Sequence, residues 1–353
     1  MHGIPYMQIR GGSSKGLYFL AKDLPENEQE RDQLLLDIVG RDHRQIDGLG
    51  GAHPLTSKVA IVCLSDDPLA DVDYLFAQVV VGENRVDTSP NCGNILSGVG
   101  AFALESGLIS AAEETTTVRV KMLNSHHYCD LILETPSATL TYQGDTKIDG
   151  VPGTASPVIC QYKDVAGSVC GALLPTGNTV DVFNGVPTTC IDNGMPVVVI
   201  QAKDVGCTGY ESVEALNQDS ELKSKLEAIR LLAGKAMNLG DVTNKVVPKM
   251  SLVSKPISGG HIHTRTFIPH TCHTAIGVLG AVSVATACML SSSVAQPVTP
   301  LSLPQSVNTI SVEHPTGEFS VELSTDEDGR INQVGLVRTA RVLSKGIAYP
   351  APY

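Results

Sequence analysis

The chain has 353 residues, with 33 glycines, 20 prolines, no tryptophan and 4% aromatic residues, so its core is expected to pack small side chains between many turns. Its 25 basic and 37 acidic residues give a net charge of −12 with no basic run, which argues against nucleic acid or an anionic membrane as a partner. Nine cysteines without a CxxC pair make neither a disulfide framework nor a zinc ribbon, and MHGIPYMQIRGG lacks the apolar core of a signal peptide, so a reduced, cytoplasmic protein is expected.

In chain order, IPYMQIRGG from Ile4 reads as a strand running into the turn RGGSSKG and a second strand, GLYFLA. Arg10, Ser13, Ser14 and Lys15 make this turn a candidate carboxylate-binding loop with a flexible, donor-rich backbone; its Lys-Gly order and spacing do not fit a phosphate loop. NEQERDQLLLDIVG, between Pro25 and Gly40, is patterned as an amphipathic helix. QIDGLGGAHP then makes a tight loop, with Asp47 as either its cap or a site residue, and leads through Ser57 and Lys58 into the strands KVAIVCL and YLFAQVVV. SPNCGN opens the apolar run ILSGVGAFAL, which reads as a long buried helix with Cys92 at its mouth. TTTVRVKML and SATLTYQG follow as alternating segments.

The second half repeats the first. NCGNILSGVGAFAL from Asn91 and TCHTAIGVLGAVSV from Thr271 share a cysteine and a following Gly-Ala, and Arg85 and Arg265 each stand seven residues ahead of the cysteine. IPYMQIRGG matches VPTTCIDNG, LAKDL matches QAKDV, and TSKVAIV around Lys58 matches VPKMSLV around Lys249. MPVVVIQA is a strand and SELKSKLEAIRLLAGKAM an amphipathic helix. The expected organisation is two domains, 1–182 and 183–353, with the seam in LPTGNTVDVFNG. Each is read as an α+β unit, an antiparallel sheet wrapped around one hydrophobic helix. AIGVLGAVSVATACML is shorter than the ~20 residues a membrane span needs and fits a buried helix. His261, His263, His270 and His273 lack a matching carboxylate or ligand spacing, so no metal site is expected.

A cysteine in the first turn of a helix meets unpaired N–H groups and the positive end of the helix dipole, which favour thiolate. Cys92 is therefore a candidate base or nucleophile, with Asn91, Gly93 and Asn94 as anion ligands around it. Cys272 is a candidate second acid or base, with Arg265, His270 and Thr271 beside it, and a pseudo-twofold pair of helices would point both cysteines into one cleft between the domains. Ordinary burial is the alternative for either cysteine and the expected fate of the other seven.

NCGN opening a helix, answered by a second cysteine one domain later, resembles the diaminopimelate epimerase fold. RGGSSKG, QIDGLGGAHPLTSKVAIV, VDTSPNCGNILSGVGAF, IDGVPGTASPV and PHTCHTAIGVLGA resemble one branch of it, the 2-methylaconitate isomerases and 4-oxalomesaconate tautomerases, along nearly the whole chain. The resemblance implies a cofactor-free proton-transfer enzyme for small unsaturated polycarboxylates, with Lys58 and Cys92 as its catalytic pair, and it makes a homodimer plausible. CHT in place of the epimerases' CGT-like motif argues against amino-acid epimerisation. The implied reaction is an allylic or keto–enol shift through a dienolate, with 4-oxalomesaconate the first choice of substrate and aconitate, 2-methylaconitate or methylitaconate the alternatives. A polycarboxylate-binding protein without catalysis is the reading from another class.

Overall fold

The computed structural model describes residues 3–88, 91–163, 165–300, 307–325 and 331–351, so Ser89 and Pro90 of SPNCGN lie outside the described residues. The chain forms two compact units: Met1–Lys163 with Val337–Tyr353, and Asp164–Leu336. The first division falls ahead of the 182/183 seam read from the sequence. Residues 165–182 are bonded into the second unit instead: Gly167 N–H donates to the Asp192 carbonyl at 2.7 Å, and the Asp192 carboxylate accepts from Val169 N (2.8 Å) and Cys170 N (2.7 Å).

The first unit opens with the hairpin β1 (Ile4–Gly11) and β2 (Ser14–Leu20). Helix α1 (Glu28–Val39) is capped by Asn27, whose side chain accepts from Gln29 N and Glu30 N, and it ends at Gly40 with φ 106°. It carries the chain over to β3 (Lys58–Leu64), which pairs parallel to β2. β4 (Val72–Val79) returns antiparallel, with the two-residue β5 (Val86–Asp87) on its edge. Two short helices, α2 (Gly93–Leu96) and α3 (Val99–Glu105), lead to β6 (Glu114–Met122), parallel to β4, and then to β7 (His127–Thr135) and β8 (Pro157–Tyr162).

The second unit runs β9 (Asp181–Phe183), β10 (Val186–Asp192), β11 (Pro196–Gln201), α4 (Val213–Gln218), α5 (Ser220–Ala236), β12 (Lys249–Ser254), β13 (Ile262–Phe267), α6 (Val278–Met289), β14 (Val307–His314) and β15 (Gly317–Thr325). β16 (Ile331–Ala348) starts in this unit beside β15 and ends in the first unit, where it pairs with β1 from Ile4↔Ala348 to Gly11↔Ala340 and, through β8, closes that sheet on itself.

Neither sheet is the antiparallel one expected. β2–β3 and β4–β6 are parallel in the first unit, as are β11–β12 and β13–β14 in the second. In each case a helix spans the connection, and a helical crossover delivers the next strand in the same direction. SATLTYQG is not a strand either: Ser137 and Ala138 have positive φ, and the chain turns there.

Alternation along the strands sorts the cores. Leu17, Phe19, Val59, Ile61, Ala77 and Val79 face Leu35, Leu36, Ile38 and Val39 of α1. In the second unit Val198, Ile200, Met250, Leu252 and Phe267 face Leu222, Leu226, Ile229 and Ala233 of α5. Nine consecutive residues of α6, Gly280 to Cys288, are buried. Among the described residues no helix is long and apolar enough to cross a membrane.

Candidate active site

Val59 and Ile61 point toward α1, so Lys58, first residue of β3, points to the opposite face. There its Nζ donates to Gln78 Oε1 at 2.7 Å and lies 5.0 Å from the centroid of the Phe76 ring. A carbonyl acceptor and a ring face both suit an ammonium. Gln78 is Lys58's cross-strand partner, and its own Nε2 donates to the carbonyls of Ser57 (2.9 Å), Pro54 (3.2 Å) and Val79 (3.2 Å). Gln78 is not among the residues expected from the sequence, although a lone amide inside YLFAQVVV is a signal there.

Cys92 stands at the N-cap of α2 with extended backbone (φ −134°, ψ 97°) and is half-buried. The long helix expected behind it is broken. α2 makes one turn, Gly98 N–H bonds to Ile95 O at 3.0 Å, and α3 begins at Val99. The break serves Tyr18, which lies so close that a Cβ on Gly98 would collide with its hydroxyl. Tyr18 Oη donates to Ile95 O at 2.6 Å and Tyr74 Oη to Cys92 O at 3.4 Å. Burial first, then the neighbouring Cys92, pushes both phenols well above their ordinary range, so they stay neutral donors. Asn124 Nδ2 ties Phe76 O (2.9 Å) to Thr88 O (2.7 Å), anchoring the segment that leads into Cys92.

The β1–β2 turn is a tight two-residue hairpin, Gly12-Ser13, where a flexible loop was expected. Gly12 has φ 52°, and a Cβ there would strike the Asn94 side chain; one on Gly11 would strike the Asn94 carbonyl. Asn94 Nδ2 donates to Ser13 Oγ at 3.2 Å, and Gly16 pairs with Lys58. One hairpin therefore touches the turn that follows Cys92 and the strand that starts at Lys58.

Of the other expected residues, Ser14 is buried, and its Oγ has no hydrogen-bond partner among the described residues. Lys15 is half-buried, with no ion pair among the described residues. Arg10 turns Nη1 inward to Gly12 O (2.9 Å), Thr339 O (2.9 Å) and Thr339 Oγ1 (3.0 Å), a brace for the hairpin where a carboxylate clamp was expected. Ser57 Oγ is given to buried Gln45 at 2.7 Å, and Gln45 also accepts from Ala52 N, so Ser57 supports the loop. Asp47 and Asn91 are exposed.

In the second unit the expected cluster separates. Cys272 does not open α6, which begins at Val278 with Gly277 as its N-cap. The cysteine bridges to Phe267 and belongs to the core beneath α5, and burial, partly offset by Arg265, pushes its thiol up to about 11. Arg265 is 6% exposed on that same face. It donates from Nε to Glu211 O (2.8 Å) and from Nη1 to His263 Nε2 (2.5 Å) and Thr264 O (3.0 Å). Because arginine only donates, His263 Nε2 accepts, and its proton sits on Nδ1 facing Glu313 Oε2 at 2.9 Å. Glu313 also accepts from Ile257, Ser258 and Gly260 N–H. Arg265 is thus built into this buried chain and is not a ligand of the helix mouth. His270 and Thr271 lie on an exposed turn, with His270 Nδ1 3.7 Å from Glu227. Half-buried His273, weighed in the sequence only as a metal ligand, accepts from Ala275 N at Nδ1, and burial holds it below the ordinary histidine value. No group of three or more potential metal ligands occurs among the described residues.

An ammonium and a thiol served by one hairpin, backed by neutral phenols, form the candidate proton-transfer site of this mixed-sheet α+β chain. The chain belongs to the PrpF protein family, which it matches over residues 1–351. It is 53% identical over 351 residues to the (4E)-oxalomesaconate Delta-isomerase of Novosphingobium sp. (strain KA1), covering 99% of this chain and 98% of that one. It is 56% identical over 345 residues to the 4-oxalomesaconate tautomerase of Pseudomonas putida, covering 98% and 95%. The crystal structure of a methylitaconate-delta-isomerase superposes with a TM-score of 0.88 at 32% identity, over 99% of this chain and 96% of that one.

Proposed function

We propose that this chain is a cofactor-independent isomerase that shifts a proton on 4-oxalomesaconate, with Cys92 as base and Lys58 as acid. The observation that carries the assignment of roles is the Lys58 side chain, held by the Gln78 carbonyl and the Phe76 ring face in contacts that suit its charged form. The names of the relatives at 53% and 56% identity support the choice of substrate.

In this reading the Cys92 thiolate takes a C–H proton next to a carbonyl, and the electron pair moves through the conjugated system to oxygen. The dienolate is held by the Lys58 ammonium, which returns a proton at the vinylogous carbon, so atoms and charge balance without an external oxidant or reductant. Ser13, Ser14, Lys15, Gly93 and Asn94 bind the carboxylates. Ser14 contributes a buried hydroxyl that no group among the described residues satisfies.

We also infer that the two units are one design made twice. Each runs hairpin, helical crossover, parallel strand, antiparallel return, second helical crossover and a further parallel strand.

Proton NMR in D₂O tests the function with 4-oxalomesaconate, cis- and trans-aconitate, 2-methylaconitate and methylitaconate. The expected result is isomerisation of 4-oxalomesaconate with deuterium at the allylic carbon, abolished in Cys92→Ala. Turnover of another compound in its place would reassign the substrate, and no exchange with any of them would remove the enzymatic reading.

A further inference from the structure

Two fully buried tyrosines have no part in the proton transfer proposed above, yet their hydroxyls end on the turn that follows Cys92. In the register of the first unit Gly16 pairs with Lys58 and Tyr18 with Ala60, while Ala60 pairs with Phe76 and Val62 with Tyr74. Tyr18 of β2 and Tyr74 of β4 therefore stand on the sheet face that carries Lys58, Phe76 and Gln78, one on each side of β3. α2 lies over that face: a Cβ on Gly16 would stand 3.0 Å from Ile95 Cδ1.

α2 cannot hold itself. It is one turn, Gly93–Leu96, with no side-chain cap at Cys92 and a break at Gly98 behind it. A single turn is far below the length at which a helix sustains itself. Its ends are met instead by the two phenols: Tyr74 Oη donates to the Cys92 carbonyl at 3.4 Å and Tyr18 Oη to the Ile95 carbonyl at 2.6 Å. The same carbonyls accept backbone N–H groups, Cys92 O from Leu96 (2.9 Å) and Ile95 O from Gly98 (3.0 Å), which uses both lone pairs of each. A Cβ would collide with the Tyr18 hydroxyl at Gly98 and crowd it at Gly11, so two glycines leave room for that one donor. Packing alone calls for the rings; it does not call for two hydroxyls aimed at the two ends of one turn.

We propose that Tyr18 and Tyr74 are positioning residues that clamp α2 at both ends and so hold the Cys92 thiol in place for its reaction with substrate. The proposal rests on the reading of Cys92 as the base. Both hydroxyls act through the backbone of the turn and not on substrate. Asn94, inside the turn, keeps its separate tie to Ser13 at 3.2 Å, so the clamp governs the position of the thiol more than the binding of carboxylates.

Tyr18→Phe and Tyr74→Phe test it. They keep the rings and remove only the hydroxyls, and each carbonyl keeps its backbone N–H partner, so both variants are expected to fold. The readouts are kcat and KM with 4-oxalomesaconate and, without substrate, amide hydrogen exchange followed by mass spectrometry. Each variant is expected to lower kcat about tenfold with KM within about threefold, the pattern of a displaced catalytic group. The amides of Leu96, Ser97 and Gly98 should exchange about fivefold faster, in line with loss of one hydrogen bond, while those of the β6–β7 pair keep their rates. Unchanged exchange at α2, or an unchanged kcat, removes that tyrosine from the clamp, and in both variants it overturns the proposal. Faster exchange throughout the first unit, with kcat falling and KM rising together, also overturns it, because that marks a merely structural role. If wild type leaves 4-oxalomesaconate unchanged while exchange at α2 rises as expected, the substrate assignment fails and the clamp stands.

Discussion

Gln78 gives its carbonyl to the Lys58 ammonium at 2.7 Å while its amide nitrogen is spent on the carbonyls of Ser57, Pro54 and Val79. The amide cannot flip without placing an N–H against the ammonium, so its orientation is fixed by three backbone acceptors. Gln78→Leu removes this guide and is expected to lower kcat about 10²-fold, the scale of losing the position of a catalytic group. Lys58→Met should cost about 10²- to 10⁴-fold in kcat/KM. Steady-state kinetics on both variants checks the order, and Gln78→Leu at wild-type rate would mean that Lys58 needs no guide.

The two cysteines that match in the internal repeat should separate in chemistry. Cys92 is half-buried at the start of α2, whereas Cys272 is 2% exposed with its thiol pushed up to about 11. Iodoacetamide at pH 7.5 is expected to modify Cys92 well before Cys272, as read by peptide mass spectrometry. Cys272→Ala should keep kcat within about tenfold of wild type, while Cys92→Ala should abolish exchange. Comparable losses in both would restore a two-cysteine mechanism.

The Glu313–His263–Arg265 chain predicts acid sensitivity. Burial, then Arg265, holds the His263 ring below the ordinary histidine value of about 6.5 despite Glu313. Burial would raise Glu313, but the backbone N–H groups of Ile257, Gly260 and Ser258 and the His263 ring outweigh it and hold the carboxyl low. Both shifts have the same sign for stability. Below pH 6.5 the unfolded histidine binds protons that the folded one refuses, and at lower pH the unfolded glutamate does the same, so stability is lost as pH falls. The melting temperature of wild type is expected to decline from about pH 6.5 downward. His263→Gln keeps one donor and one acceptor and should flatten the first part of that decline. An identical slope in the variant would remove His263 as its source.

Gly98→Ala should destabilise the fold by about 1–3 kcal/mol, because the new methyl group collides with the Tyr18 hydroxyl that holds Ile95 O. Chemical denaturation measures it, and a neutral result would show that the α2–α3 break has room to relax.

What the sequence made legible was local. Asn27 and Gly40 bracket α1 through capping and a positive φ, both properties of neighbouring residues. Lys58 and Cys92 are candidates because of motifs in short windows. The partners that give those residues their geometry lie far along the chain: Gln78 is 20 residues from Lys58, and Glu313 is 50 from His263. Strand direction was misread for the same reason. An antiparallel return and a helical crossover can carry the same alternating pattern, and only the span between strands tells them apart. The break at Gly98 was hidden because its cause is a tyrosine on another strand.

The path of β16 sets an order on biosynthesis. Residues 164–336 include the whole second unit, whereas β1, made first, waits for residues 340–348 to cover its edge. During translation the oldest strand is therefore a bare template, with Met7 and Ile9 beside unpaired backbone, and the younger half of the protein can be finished before the older half. A nascent chain released after residue 336 should carry a protease-resistant second unit and a first unit still open to digestion, so the first unit matures last although it is synthesised first.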